Sequence, residues 1–134
     1  MANMIQRILV RTDLGMSEGL MAAQVAHIHS SPFLLTYKTA PSPTGVLVDE
    51  IATVKKWMDT PYMFVHGVPN KEVLRHFMDK CEDRKVWFQS WSDTIYVDIS
   101  PTQKQVFDDV LVGISMGPAD SDALKTIVGD LPLL

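Results

Sequence analysis

The 134-residue sequence predicts an α/β protein in which helices cover both faces of a β-sheet, a three-layer sandwich. Short runs rich in β-branched and aromatic residues alternate with longer stretches whose apolar residues recur at helical spacing. Strands that alternate with helices form such a sandwich because each helix buries its apolar face against the sheet. We expect a single domain over residues 1–134, since no linker, repeat or low-complexity tract divides the chain.

The first half of the chain is predicted to form two strands and two helices. Apolar residues predict a strand over Ile5–Thr12, and a helix follows over Ser17–Lys38 with the serine hydroxyl as its N-cap. Proline and glycine predict a loop over residues 41–45, before a second helix over Val48–Met58. Aromatic and β-branched residues predict a buried strand over Tyr62–Val68.

The second half is predicted to add two strands and three helices. Asn70 is an N-cap for a helix with regular apolar spacing, and a strand follows over Val86–Ser92. The segment Ser100–Asp108 opens with serine, proline and, three residues after the serine, glutamine, which predicts a short capped helix. The last strand is expected over Val110–Ser115 and the last helix over Ser121–Val128.

The composition is that of an ordinary soluble globular protein, with 46% hydrophobic and 21% charged residues. The single cysteine, Cys81, excludes an internal disulfide, suits a reducing compartment and is expected to be a structural thiol. No apolar run approaches the roughly 18 residues of a membrane span, and the N-terminus lacks the pattern of a signal peptide. We therefore expect a cytoplasmic protein with no membrane-spanning segment.

Polar side chains gather where the first strand meets the first helix. At 3.6 residues per turn, Gln24 and His27 project from one side of the helix, where they can reach Arg11 and Asp13 at the strand end. Ligands of open α/β sheets bind outside the carboxyl ends of strands. We expect the amide and the imidazole to face a solvent-accessible hollow there, although a surface glutamine and a dipole-paired histidine are the alternative.

A neighbouring stripe of the same helix is predicted to face the core, because Met21, Val25 and Ile28 recur at helical spacing. Small residues let a helix lie close to a sheet. The residues expected to do so here are Ala22, Ala23 and Ala26.

Both ends of the chain carry motifs that are shared with one protein family. They are Asp13–Met16, Gly19 and Ala22–His27 near the start, and Val112–Pro118 and Asp122–Leu134 at the end. Together these motifs resemble those of the type 2 peptidyl-tRNA hydrolases, and the resemblance covers nearly the whole chain in order. Residues 86–109 match the family pattern poorly.

The resemblance implies a mixed sheet of four strands, often in a homodimer, and hydrolysis of the ester between peptide and tRNA by an activated water. Gln24 would orient the substrate or the water, and His27 would assist by hydrogen bonding. Asp13 and Thr94 would complete the polar surroundings. We expect neither a metal nor a cofactor.

Two positions depart from the family pattern. Leu20 stands where the family has a lysine, and its isobutyl group cannot stabilise developing negative charge, a role that Arg11 could take. The family also has an aspartate four residues before a threonine. The match to Thr94 puts Ser90 at that position, and Asp93 can substitute for the aspartate only if the backbone turns differently there. The catalytic candidates are therefore Gln24, His27, Asp93 and Thr94, and the substrate-binding candidates are Arg11, Asp13 and Ser90.

The net charge of −4 is unusual for a protein that binds tRNA, since phosphate contacts normally require a basic surface. The candidates for a local basic patch are Lys38, the pair Lys55–Lys56 and the group Lys80, Arg84 and Lys85, and solvated helix faces are the alternative. The charge and Leu20 favour an alternative, a catalytically degenerate member of the fold that binds RNA or a protein. A third option is hydrolysis of another small acyl ester.

Two tryptophans also allow two interpretations. Trp87 and Trp91 are four residues apart in the predicted third strand, so their side chains share a face. Packing in the core or a dimer interface is one interpretation, and a stacking platform for a base at the tRNA end is the other.

Overall fold

The computed structural model describes residues 3–39, 55–59 and 61–134. The predicted loop over residues 41–45 and most of the predicted helix Val48–Met58 lie outside these ranges. The last part of that helix is described, because residues 55–59 are helical. In the described ranges, no helix has the length and hydropathy needed to cross a membrane.

Strands and helices follow one another much as the sequence predicts. In chain order they are β1 (Met4–Arg11), α1 (Glu18–Thr39), α2 (residues 55–59), β2 (Tyr62–Val68), α3 (Lys71–Asp83), β3 (Phe88–Ser100), β4 (Gln103–Asp120) and α4 (Ser121–Val128). Both predicted N-caps are confirmed. The Leu20 N–H donates to Ser17 Oγ at 3.2 Å, and the Val73 N–H donates to Asn70 Oδ1 at 2.9 Å.

The sheet is mixed, as the family resemblance implies. Its strand order is β2-β1-β4-β3, with β1 parallel to β2 and antiparallel to β4, and β4 antiparallel to β3. The carboxyl end of β1 therefore lies beside the carboxyl end of β2 and beside the middle of β4. α1 packs against one face of the sheet, and α3 and α4 pack against the other.

Alternation along β1 divides the core between these two faces. Under α1 the buried cluster is Ile8, Val10, Leu14, Ile28, Ile95 and Val112. Under α3 and α4 it includes Leu9, Leu74, Phe77, Cys81, Ile114 and Leu124. Cys81 is fully buried, and burial raises the pKa of its thiol to about 12, as expected for a structural thiol.

α1 lies close to the sheet because β4 carries a glycine beneath it. A Cβ on Gly113 would lie 2.4 Å from the Leu9 carbonyl oxygen and 2.6 Å from Ile28 Cδ1. Ile28 is fully buried there, which confirms its predicted place in the core. The prediction that small residues of the helix itself face the sheet is wrong, because all three are exposed: Ala22, Ala23 and Ala26.

The predicted helix over Ser100–Asp108 is also wrong. β3 continues to Ser100, a turn follows, and β4 begins at Gln103. The serine hydroxyl accepts the N–H of Gln103 at 3.1 Å, so it caps a turn instead of a helix. A hydrogen bond from a backbone N–H to this serine hydroxyl can form either at the start of a helix or in a turn. Cross-strand pairs such as Tyr96 with Val106 decide the outcome in favour of the hairpin.

Candidate functional site

Gln24 belongs to a hydrogen-bond network that ties α1 to β3. The Trp91 Nε1–H donates to Gln24 Oε1 at 2.9 Å, and the Gln24 Nε2–H donates to Asp93 Oδ2 at 3.1 Å. Only 3% of Gln24 is exposed. The amide therefore bridges two residues of one strand and does not face an open hollow, which differs from the expectation based on sequence.

Asp93 and Thr94 lie at an irregularity of β3. The pairing register with β4 shifts between Asp93 and Ile95, and a shift of this kind re-aims the side chains beside it. Asp93 is half-buried, and its Oδ1 accepts the Thr94 N–H at 2.8 Å. The Thr94 hydroxyl donates to Asp108 Oδ1 at 3.0 Å. Two donors thus fix the Asp93 carboxylate. The Thr94 hydroxyl and the exposed Asp108 carboxylate extend this polar group to solvent.

His27 gives the network a solvent-facing imidazole. It is exposed, and its ring stacks on the Trp91 indole with centroids 5.0 Å apart and planes 13° from parallel. His29 has entirely different surroundings. Its Nδ1–H donates to Gln6 Oε1 at 2.7 Å, and burial lowers its pKa. The two histidines therefore diverge, as their spacing predicts.

Arg11 and Asp13 form an ion pair that lies apart from Gln24. The guanidinium donates to both carboxylate oxygens, at 3.0 and 2.9 Å, and to the Leu111 carbonyl oxygen at 3.0 Å. These hydrogen bonds lower the pKa of Asp13. Since Val10 packs beneath α1, strand alternation directs Arg11 to the opposite face of the sheet. The structure therefore does not bring Arg11 to the site at which the family has its lysine.

Ser90 is exposed one residue before Trp91 on β3, so the two side chains point to opposite faces. The three substrate-binding candidates thus do not converge with Gln24. The four catalytic candidates do form one group, in which His27 is joined to the others through Trp91.

Leu20 fits the structure as an apolar residue. It is half-buried and packs against the cluster under α1, which includes Leu14 and Ile95. Val97 and Phe107, from the β3–β4 hairpin, pack against the same cluster. The hairpin therefore provides apolar surroundings at the start of α1, where an ammonium group would need water or a carboxylate.

Sequence reasoning missed how Trp91 and Asp108 take part in the site. The sequence predicts packing or a base platform for Trp91, whereas its indole N–H is a hydrogen-bond donor within the network. The sequence also predicts that Asp108 ends a helix, whereas it lies on β4. One feature of the sequence does indicate where Asp108 lies. The β-branched and aromatic residues of Thr94–Ile99 favour a longer third strand, with which the segment containing Asp108 then pairs.

Comparisons with known proteins agree with this fold. The family described as "Peptidyl-tRNA hydrolase PTH2" matches residues 4–134. A peptidyl-tRNA hydrolase of Metallosphaera sedula is 30% identical over 130 residues, which cover 95% of this chain and 97% of that protein. The similarity therefore extends across all the strands and helices described above.

Proposed function

Because this chain belongs to the PTH2 family of peptidyl-tRNA hydrolases, we propose that it hydrolyses the ester between a peptide and the ribose of tRNA. The observation that supports this most strongly is the network that joins Gln24 of α1 to Asp93 of β3. The network brings a carboxylate, a hydroxyl and an imidazole into one group where α1 meets β3. These are groups that can orient a water molecule and carry its proton.

In the proposed reaction a water molecule attacks the carbonyl carbon of the ester. Asp93 accepts a hydrogen bond from this water, and His27 takes its proton as the new C–O bond forms. The bond to the ribose oxygen then breaks, and His27 returns the proton to that oxygen. The products are a peptide with a free carboxylic acid, which then releases its proton to solvent, and a tRNA with a free hydroxyl. General acid–base assistance of this kind typically contributes about 10²- to 10⁴-fold.

Gln24 and Thr94 support the carboxylate in this proposal. Gln24 is almost fully buried, so it acts on the water through Asp93, to which it donates a hydrogen bond. The Thr94 N–H holds the second carboxylate oxygen. Arg11, Asp13 and Ser90 lie outside this arrangement, and no step is assigned to them.

The second candidate function is a catalytically degenerate member of the family that binds RNA or a protein. Leu20 is the observation that favours it, because the negative charge that develops on the carbonyl oxygen has no ammonium group at this position. The apolar packing around Leu20 shows that the substitution is accommodated by the fold.

The net charge of the chain is −4, so contacts with tRNA phosphates would depend on local groups of basic residues. We propose that tRNA binds to the exposed basic side chains. Lys55, Lys56, Arg84 and Lys85 are exposed. Lys80 is engaged within the protein, where its Nζ donates to the Ile127 carbonyl oxygen at 3.4 Å. Affinity for tRNA should therefore fall steeply with rising salt concentration, and charge reversal at Lys55 and Lys56 should reduce that slope.

The experiment that tests the proposal is incubation of the purified protein with peptidyl-tRNA. We expect turnover by the wild type and a loss of about tenfold or more in Gln24→Ala, because Asp93 loses a donor. Gln105→Ala, at an exposed position of β4, is the matched control and should retain the wild-type rate.

Leu20→Lys separates the two candidate functions. A wild type without turnover and a Leu20→Lys variant that gains it would show a degenerate site. Leu133→Lys, which adds the same charge at an exposed position, controls for a general effect of charge. Absence of turnover in the wild type would overturn the proposed hydrolase function, whatever the result for Leu20→Lys.

We further propose that residues 1–134 act as a single domain, that the protein is a homodimer and that it functions in the cytoplasm. The family resemblance supports the dimer, and the reduced Cys81 suits a reducing compartment. Light scattering on the purified protein tests the dimer, a single cooperative unfolding transition tests the domain, and fractionation of cells tests the compartment.

A further inference from the structure

Trp91 holds the two parts of the site together, although the family resemblance assigns it no role. It pairs with Gly113 of β4, the glycine that lets α1 approach the sheet. Its half-buried indole therefore reaches α1, where the N–H contacts Gln24 and the ring face contacts His27. One side chain thus touches both helix residues that the sequence singles out.

The partners of Gln24 determine which way its amide points. The Trp91 indole nitrogen can only donate a hydrogen bond, and the Asp93 carboxylate can only accept one. The amide oxygen must therefore face Trp91 and the amide nitrogen must face Asp93, and the reversed orientation would set donor against donor and acceptor against acceptor. Without the indole N–H, the amide oxygen would lose the partner that makes this orientation unique.

We propose that Trp91 is a positioning residue of this site. Through Gln24 it sets the direction of the Asp93 carboxylate, and through its ring face it holds the imidazole of His27. The role in turnover rests on the proposed hydrolase function. The two halves of the role are separable, because the first needs the indole N–H and the second needs only an aromatic ring.

Trp91→Phe tests the first half of this role, because it keeps an aromatic ring and removes the N–H. We expect kcat to fall about 10- to 100-fold, the effect of misplacing a reacting group by about 1 Å, with KM changed less than about twofold. Trp87→Phe is the matched control, since Trp87 lies outside the network and should retain the wild-type kcat. An unchanged kcat in Trp91→Phe would overturn the proposal.

A double variant shows whether Trp91 acts through Gln24. If it does, Trp91→Phe combined with Gln24→Ala should have the same kcat as Gln24→Ala alone, because the amide that Trp91 orients is already absent. Multiplicative losses in kcat would show that the two residues act independently and would contradict the proposal. A loss of stability common to both variants would not produce this pattern.

An NMR measurement decides the proposal even if the protein proves not to be a hydrolase. We expect the two side-chain N–H signals of Gln24 to shift and broaden in Trp91→Phe while the His27 ring signals stay close to those of the wild type. In Trp91→Leu the ring-current shift of His27 should also be lost. Gln24 and His27 signals that do not respond to either variant would overturn the positioning role, whereas absent turnover in the wild type would overturn the proposed function alone.

Discussion

Two of the buried polar networks in the described part of the chain differ in how they meet solvent. On the face under α1, Gln24 joins Trp91 to Asp93. On the other face, the Arg7 Nη1–H donates to His66 Nε2 at 2.8 Å, and these residues are 9% and 2% exposed. Both networks bury groups that prefer water, so burial of polar residues does not by itself distinguish a functional site from a structural one.

The Arg7–His66 network has the contacts of a structural element. The His66 Nδ1–H donates to the Leu131 carbonyl oxygen at 3.0 Å, so its neutral Nε2 is left to accept from Arg7. The Leu134 N–H donates to the Val65 carbonyl oxygen at 2.9 Å, which holds the chain end against the same strand. In the described part of the chain Arg7 makes no ion pair, and burial lowers its pKa.

The Gln24 network instead leads outward, through the exposed imidazole of His27 and the half-buried carboxylate of Asp93. A buried amide or guanidinium is therefore relevant to function when it orients groups that a substrate can reach. This distinction can be tested by changing one residue at a time in each network.

The largest effect is expected for Asp93→Asn. Loss of the carboxylate removes the group that receives a hydrogen bond from water, so turnover of peptidyl-tRNA should fall by about 10²- to 10⁴-fold while the unfolding midpoint changes little. Asp98→Asn, at an exposed hairpin position paired with Lys104, is the matched control. Wild-type turnover in Asp93→Asn would remove Asp93 from the proposed reaction.

His66→Leu should affect stability instead of turnover. It leaves the Arg7 guanidinium buried without its acceptor, so the free energy of unfolding should decrease by about 3 kcal/mol. Urea denaturation measures this decrease. Adding Arg7→Met should recover part of it, because both polar partners are then gone. A His66→Leu variant that keeps full stability but loses turnover would reverse the assignment of the two networks.

Gly113→Ala tests the close seating of α1 on which the Gln24 network depends. The added methyl group would overlap the Leu9 carbonyl oxygen and Ile28, so a loss of about 1 to 3 kcal/mol in the free energy of unfolding is expected. Gly19→Ala is the control, because nothing lies within 4 Å of its Cβ position, and no loss is expected. Equal stabilities of the two variants would contradict the described packing.

The smallest expected effect is on the pH dependence of stability. Burial lowers the pKa of His66 and His29 below the ordinary value of 6.5, so the unfolded chain binds protons more readily than the folded protein. Their contribution to stability is fully present above about pH 6.5 and is lost as pH falls towards the folded pKa values. His66→Gln should flatten the decline measured between pH 7 and pH 5, and an unchanged slope would contradict this.

Much of the fold could be predicted from the sequence because local signals and the packed structure agree. Ser17 and Asn70 cap the helices that they were predicted to cap, and the strand Tyr62–Val68 has its predicted bounds. The prediction that this strand is buried is wrong for its first three residues, which are exposed. The hairpin was missed because the hydroxyl of Ser100 can cap a helix or a turn, and pairing with β4 decides between them. Such pairing is not encoded within a short window of sequence.

The site could be predicted less well than the fold. Helical spacing and family resemblance indicated Gln24 and His27, but they could not show that Gln24 is buried or that Arg11 points to the other face. The burial of Gln24 depends on a bulge in β3 and on the seating of α1, both of which arise from contacts between distant segments. The direction of Arg11 depends on which face of β1 the helix α1 covers. The role of Trp91 is hidden for the same reason, since 67 residues separate it from Gln24.

The most direct test of the account is an NMR titration with an acceptor-stem minihelix whose peptide is attached through an amide, which resists hydrolysis. Binding should shift the ring signals of His27, the indole Nε1–H of Trp91 and the side-chain amide of Gln24, and should leave the ring signals of His66 in place. Shifts centred on His66 and the C-terminal residues, with the Gln24 network unchanged, would contradict the assignment of the site.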